Sequence, residues 1–157
     1  MNVPFPLILS AFVLTLGACT SSTKSAGPEF PAVEQEPEQK TEIACYSYTE
    51  NKDTVLLTIK TIGDIVTNGD LVYQLYEKDK NTGKFYGAME NGLLVGSYQF
   101  ESEGQSSERQ VVFKVEGDKL IEGTGETETD KGHVRFKDYR NLNYASSIVL
   151  KKVDCKE

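Results

Sequence analysis

The chain has 157 residues, enough for one domain with a leader and a linker. Its 17 Lys and Arg face 24 Asp and Glu, a net charge of −7 that sets the body of the protein against nucleic acid and anionic lipid headgroups. A single histidine leaves little for a catalytic or metal-binding constellation, and no cofactor is expected.

Residues 1–18 carry no charged side chain, and Val3 to Leu16 read VPFPLILSAFVLTL, an apolar run of 14 positions. A membrane-spanning helix needs about 20 apolar residues, whereas this length suits the apolar region of a secretory signal. The run ends in Leu16-Gly17-Ala18-Cys19 and passes at once into small hydroxyl residues. That ending resembles the lipobox of bacterial lipoproteins, although Met1-Asn2 lacks the usual Lys or Arg. The resemblance implies cleavage before Cys19, lipidation of its thiol and acylation, with palmitate for instance, of its new amine. Thr20 at the second mature position implies, through the same resemblance, the outer membrane of a bacterial envelope. Three hydrocarbon chains at about 0.8 kcal/mol per buried methylene make such an anchor effectively permanent.

From Cys19 to Glu42 the chain is rich in Ser, Thr, Glu, Gln and Pro, and only Phe30 and Val33 are sizeable apolar residues. Such a segment buries too little surface to offset the entropy of ordering, so a disordered tether is expected. A flexible chain of that length spans roughly 25–30 Å on average. Its Glu34, Glu36, Glu38 and Glu42 are expected to be solvated.

The remaining residues, 43–157, show no convincing helical period. Turn signals recur instead at Asn51-Lys52-Asp53, Gly63-Asp64, Asn68-Gly69-Asp70, Asn81-Thr82-Gly83, Glu90-Asn91-Gly92, Glu103-Gly104, Glu116-Gly117-Asp118 and Asp130-Lys131-Gly132. Between them the period is two: Val55, Leu57 and Ile59 against Leu56, Thr58 and Lys60, and Val111, Phe113 and Val115 against Gln110, Val112 and Lys114. Leu71, Tyr73 and Leu75, then Leu94, Tyr98 and Phe100, then Ile148 and Leu150 repeat the pattern. These are half-buried strands. The pattern predicts an all-β domain, an antiparallel up-and-down meander of eight or nine strands closed into a small barrel, because closure removes the sticky edges. Gly87, Gly96, Gly123 and Gly125 fall inside strand-like runs, where glycine marks a bend or a close approach.

The outline is similar to lipocalin- and avidin-like barrels. Through "CYSYTENKDTVLLTI", "NGDLVYQLYEKDKNTG", "GSYQFESEGQSSERQVVF" and "GDKLIEGTGE" the domain resembles an uncharacterised group of small Gram-negative lipoproteins. That resemblance carries no activity with it.

Candidate chemistry is sparse. Glu126, Glu128 and Asp130 alternate ahead of His133, but Lys131 and Arg135 flank them, and the pattern reads as a charged hairpin end. Asp79 to Gly83, DKNTG, lacks the later bidentate Glu of a calcium loop and reads as a hairpin turn. Neither Ser106-Ser107 nor Arg109 sits in a nucleophile elbow, so the chain is read as a non-enzyme. Eight tyrosines are the notable enrichment, and Tyr46, Tyr48, Tyr73, Tyr76 and Tyr98 are the candidates for contacting a ligand or partner. Ordinary strand filling is the competing explanation, since tyrosine favours strands.

With Cys19 committed to lipid, Cys45 and Cys155 form an even pair in an oxidising compartment. Closure of the barrel between its first and last strands would bring them together as a disulfide; two free buried thiols are the alternative. Two functional classes remain open. One is a lipid-anchored module that binds an unknown small ligand or envelope protein, favoured by a cavity above roughly 300 Å³ lined by tyrosines. The other is an accessory lipoprotein with a packed barrel, favoured by an exposed apolar patch of several hundred Å².

Overall fold

The computed structural model of the chain describes residues 40–102, 104–145 and 148–155. The expected signal sequence, the expected lipid-attachment residue Cys19 and all but the end of the expected tether lie outside the described residues. The rest is all-β. Ten strands follow one another: β1 (Thr41–Glu50), β2 (Asp53–Ile62), β3 (Ile65–Gln74), β4 (Asn81–Glu90), β5 (Leu93–Ser102), β6 (Gln105–Glu116), β7 (Lys119–Glu122), β8 (Thr127–Asp130), β9 (His133–Phe136) and β10 (Val149–Val153). β1 opens at Thr41, so Thr41 and Glu42, expected at the end of the tether, belong to the first strand and the domain begins ahead of Ile43.

β1 to β7 form an antiparallel meander, and β10 enters between β7 and β1 to close an eight-stranded barrel. β8 and β9 form a hairpin outside that ring, with β9 running parallel to β6. Two-residue turns join most neighbours, as the Glu50↔Asp53, Glu90↔Leu93 and Asp130↔His133 pairings require. At Asn51-Lys52, Asn91-Gly92 and Lys131-Gly132 both turn residues have positive φ, the geometry that matches the right-handed twist of the flanking strands.

Two expected turns are not turns. Asn68-Gly69-Asp70 lies inside β3 at an irregularity in its pairing with both β2 and β4. Its turn-prone residues serve a bulge, because inward-facing Leu71 and Tyr73 must stay in phase with Val66 across it. Asn81-Thr82-Gly83, and with it the end of DKNTG, starts β4; the chain turns earlier, around Tyr76 to Asp79, with Glu77 at φ 56°. There the backbone N–H of Tyr76 donates to Asp53 Oδ1 at 2.6 Å, and Lys52 stacks on the Tyr76 ring at 4.2 Å.

The pleat sends Tyr48, Val55, Leu57, Ile59, Leu71, Tyr73, Phe85, Leu94, Tyr98, Val111, Phe113, Leu120 and Leu150 into one interior cluster. An eight-stranded barrel is just wide enough to be filled by its own side chains, and this one is. Phe85 and Phe113 meet edge to face at 6.4 Å between centroids. Gly96 on β5 is the residue that lets the Phe85 ring of β4 lie over the neighbouring strand, because a Cβ there would run into that ring.

Cys45 and Cys155 form a disulfide with Cα atoms 5.3 Å apart. Cys45 is on β1, and Cys155 follows the end of β10 rather than lying within it. β10 contributes only three paired residues to β1 and three to β7, so the closing seam is short. The disulfide pins that seam across a separation of 110 residues. Replacing both Cys45 and Cys155 by Ser should lower unfolding free energy by up to about 5 kcal/mol in denaturant titration, the loop-entropy value for a ring of this size. A loss below about 1 kcal/mol would mean that the seam holds without it.

Candidate functional site

The site begins with a mismatch of strand lengths. β6 has 12 residues and pairs with β5 from Gln105 to Lys114. On its other edge it pairs with β7 only from Phe113 to Glu116, and β7 ends after four residues. β9 takes over part of the vacant edge through Glu108↔His133 and Arg109↔Val134. Between the two partners the wall is interrupted, and a cavity of about 250 Å³ opens there. Arg109, Gln110 and Val111 line it from β6, Glu122 from β7, and Val134 and Phe136 from β9.

Arg109 and Glu122 reach this place because of strand parity. Arg109 shares the inward face of Val111, Phe113 and Val115, and Glu122 shares that of Leu120. The Arg109 guanidinium lies 4.7 Å from the Tyr73 ring centroid, 5.6 Å from that of Tyr98 and 5.8 Å from that of Phe100. Tyr98 and Phe100 stack on each other at 4.8 Å, and Tyr73 meets Tyr98 at 5.7 Å. A cation on aromatic faces gains roughly 0.5–2 kcal/mol, more as water is excluded. The Tyr73 hydroxyl donates to Glu122 Oε1 at 2.8 Å, which ties β3 to β7 across the barrel.

Three buried atoms of this cluster have no hydrogen-bond partner: Arg109 Nε, Glu122 Oε2 and the Tyr98 hydroxyl. Burial pushes the Glu122 carboxyl above the usual carboxylate range, against the opposing pull of the Tyr73 hydroxyl and of Arg109. Burial raises Tyr73 well above its ordinary value, helped by Glu122, and pushes Tyr98 up to about 12 against the opposing charge of Arg109. Burial thus favours the neutral form of both phenols.

The five candidate tyrosines divide by position. Tyr73 and Tyr98 come together behind Arg109, and Tyr48 is buried in the same interior cluster with Tyr46 packed against it. Tyr76 is half exposed on the β3–β4 connection, away from that cluster. The cavity wall itself contains no tyrosine. Arg109 and Glu122, which dominate it, were not singled out as site residues from the sequence. The available signal was a charged residue in phase with an apolar stripe, Arg109 two positions before Val111 and Glu122 two positions after Leu120.

The acidic hairpin resolves into pairs. Arg135 Nε donates to Glu128 at 2.9 Å and Nη1 lies 3.4 Å from Asp130, while Lys137 reaches Glu126 at 2.9 Å. His133 turns away from all three, its Nδ1 lying 3.2 Å from Glu108 Oε2. Glu108 also accepts from Ser97 at 2.6 Å and from Gln99 at 3.1 Å, and the Ser97 bond leads in holding its carboxyl below the usual range. Among the described residues no group of three or more His, Cys, Asp or Glu side chains is placed to hold a metal ion.

No protein-family model matches the chain, and no curated protein or solved structure matches it significantly.

Two predictions follow from this geometry. A carboxyl raised by burial keeps its proton in the folded state where the unfolded chain releases it. Its stabilising contribution is complete at acid pH and is lost as pH rises through the folded value. Glu122→Gln, which keeps an acceptor for the Tyr73 hydroxyl, should therefore gain thermal stability relative to the native chain between pH 4 and pH 8. A difference independent of pH would contradict the assignment. His133→Ala removes one exposed pair and should cost no more than about 1 kcal/mol in denaturant unfolding; a loss of several would show that the hairpin is integral to the barrel.

Proposed function

We propose that the chain is a bacterial envelope lipoprotein, acylated at Cys19 and anchored in the outer membrane, whose barrel is a non-catalytic binding module for a small ligand. The observation that carries this reading is the cavity beside β6, where a half-buried Arg109 and a half-buried Glu122 face the same roughly 250 Å³ space. Folding does not gather a guanidinium and a carboxyl at an interrupted wall for stability alone, since enclosed polar atoms without partners cost about 1–3 kcal/mol each. A cavity of this size suits a small metabolite, below the roughly 300–1,000 Å³ of drug-sized ligands. The lipobox-like Leu16-Gly17-Ala18-Cys19 and the polar stretch after it supply the anchor and the reach.

The fully packed interior favours a second reading, an accessory lipoprotein that acts through assembly. Phe85, Tyr98 and Phe113 fill the barrel axis and leave no central lumen for a ligand. The exposed apolar residues, such as Ile43, Ile65 and Tyr86, are spread over β1, β3 and β4.

Mass spectrometry of the lipidated protein purified from its own envelope separates the readings. The binding module should carry a stoichiometric small molecule that Phe136→Ala changes; a chain that retains only its own acyl groups supports the accessory reading. Cys19→Ser should abolish acyl labelling and leave an unprocessed precursor, and continued palmitate labelling would remove the anchor at Cys19.

A further inference from the structure

The cavity's two charged residues are not equally available to a ligand. Glu122 Oε1 is occupied by the Tyr73 hydroxyl, and Oε2 is enclosed. The Arg109 Nε is likewise enclosed. Its terminal nitrogens differ: among the described residues no hydrogen bond or ion pair engages the guanidinium, although the side chain lines the cavity. Three aromatic rings, those of Tyr73, Tyr98 and Phe100, surround the group with centroids 4.7, 5.6 and 5.8 Å from its central carbon. The result is a guanidinium already oriented, partly desolvated and with its fork unoccupied.

We infer that this cavity binds a small organic carboxylate, its two oxygens on the Arg109 fork and its apolar body against Val111, Val134 and Phe136. The inference rests on the binding-module reading and names the ligand class of the same site. A planar guanidinium matches a carboxylate with two parallel hydrogen bonds, and such charge-assisted pairs are stronger than neutral ones. An ammonium-bearing ligand is disfavoured, because neither oxygen of Glu122 is open to it. A phosphate dianion is disfavoured too. Arg109 is the one cation of the cavity wall, so a second negative charge would go uncompensated. A monoanion balances the guanidinium, and Val111, Val134 and Phe136 give its hydrocarbon part an apolar surface. Val134 and Phe136 come from β9, so the outer hairpin completes the site as well as covering the vacant edge of β6.

The test is calorimetric titration of the full mature chain, in non-ionic detergent, with sodium butyrate, butyramide and inorganic phosphate. Butyrate should bind at one site, and its neutral isostere butyramide at least tenfold more weakly. Arg109→Gln should weaken butyrate at least tenfold while a distant cation removal, Lys84→Gln, changes nothing. Because Arg109→Gln disturbs the aromatic stack, Val134→Tyr provides an independent block: it stands on the exposed hairpin and fills the cavity from outside. Equal binding of butyrate and butyramide, undiminished binding to Arg109→Gln or Val134→Tyr, or binding of phosphate without butyrate would each overturn the carboxylate assignment. A neutral copurifying molecule retained by Arg109→Gln would sink this inference and leave the binding module standing. Absence of both a copurifying molecule and any titration signal would sink the two together.

Discussion

An antiparallel barrel can close only if each strand finds a partner on both edges, and β6 does not find one along its whole length. It is the longest strand of the ring and has the shortest neighbour, since β7 stops at Glu122 after four residues. Unpaired backbone groups facing apolar surface are expensive, so the exposed edge has to be covered. The chain solves this locally. It leaves the ring through Gly123-Thr124-Gly125, folds the β8–β9 hairpin beside β6, and returns past Thr124, whose backbone pairs with Asn143 in both directions. Gly123 at the exit leaves room for the Leu142 and Tyr144 side chains, which a Cβ there would approach to 2.8 Å and 2.9 Å. β10 then resumes the ring against β7 and β1.

That detour determines where a site can be. The barrel axis is filled by aromatic and aliphatic side chains, which accounts for the core but offers nothing to a ligand. The interruption beside β6 is different. It exposes a short part of the interior sideways, at the level where Arg109 and Glu122 replace the apolar residues that parity would otherwise place there. Two polar devices keep this region from collapsing: the Tyr73 hydroxyl satisfies one oxygen of Glu122, and the rings of Tyr73, Tyr98 and Phe100 hold the guanidinium. The outer hairpin is fastened by the Glu108–His133 pair and by the Phe136 N–H bonded to Gln110 Oε1 at 3.0 Å. Fold and site are thus two consequences of one mismatch.

Much of the fold was legible in the sequence because its determinants are local. Alternation such as Val55, Leu57, Ile59 fixes which face turns inward, and residue pairs such as Asn91-Gly92 tolerate the positive φ of a two-residue hairpin. The even cysteine pair and the need to close the meander pointed to Cys45 and Cys155. Asn68-Gly69-Asp70 misled for a physical reason: glycine and asparagine suit a bulge as well as a turn, and only the partner strands decide which. The parallel docking of β9 on β6 was not legible, since it depends on β7 being too short to occupy that edge. For the same reason the candidate tyrosines were named while Arg109 and Glu122 were not. Tyrosine stands out by abundance, whereas a lone charge on an apolar stripe gains meaning only when the cavity it faces is known.

Side-chain NMR of Arg109 reads the guanidinium itself, because an enclosed Nε beside aromatic rings and a free fork give distinct signals. The account predicts an Hε shifted by the ring currents of Tyr73, Tyr98 and Phe100, exchanging with water far more slowly than that of exposed Arg140, with Hη protons that exchange quickly in the absence of ligand. An Arg109 Hε that exchanges as fast as Arg140's and shows no contact to those rings would contradict it.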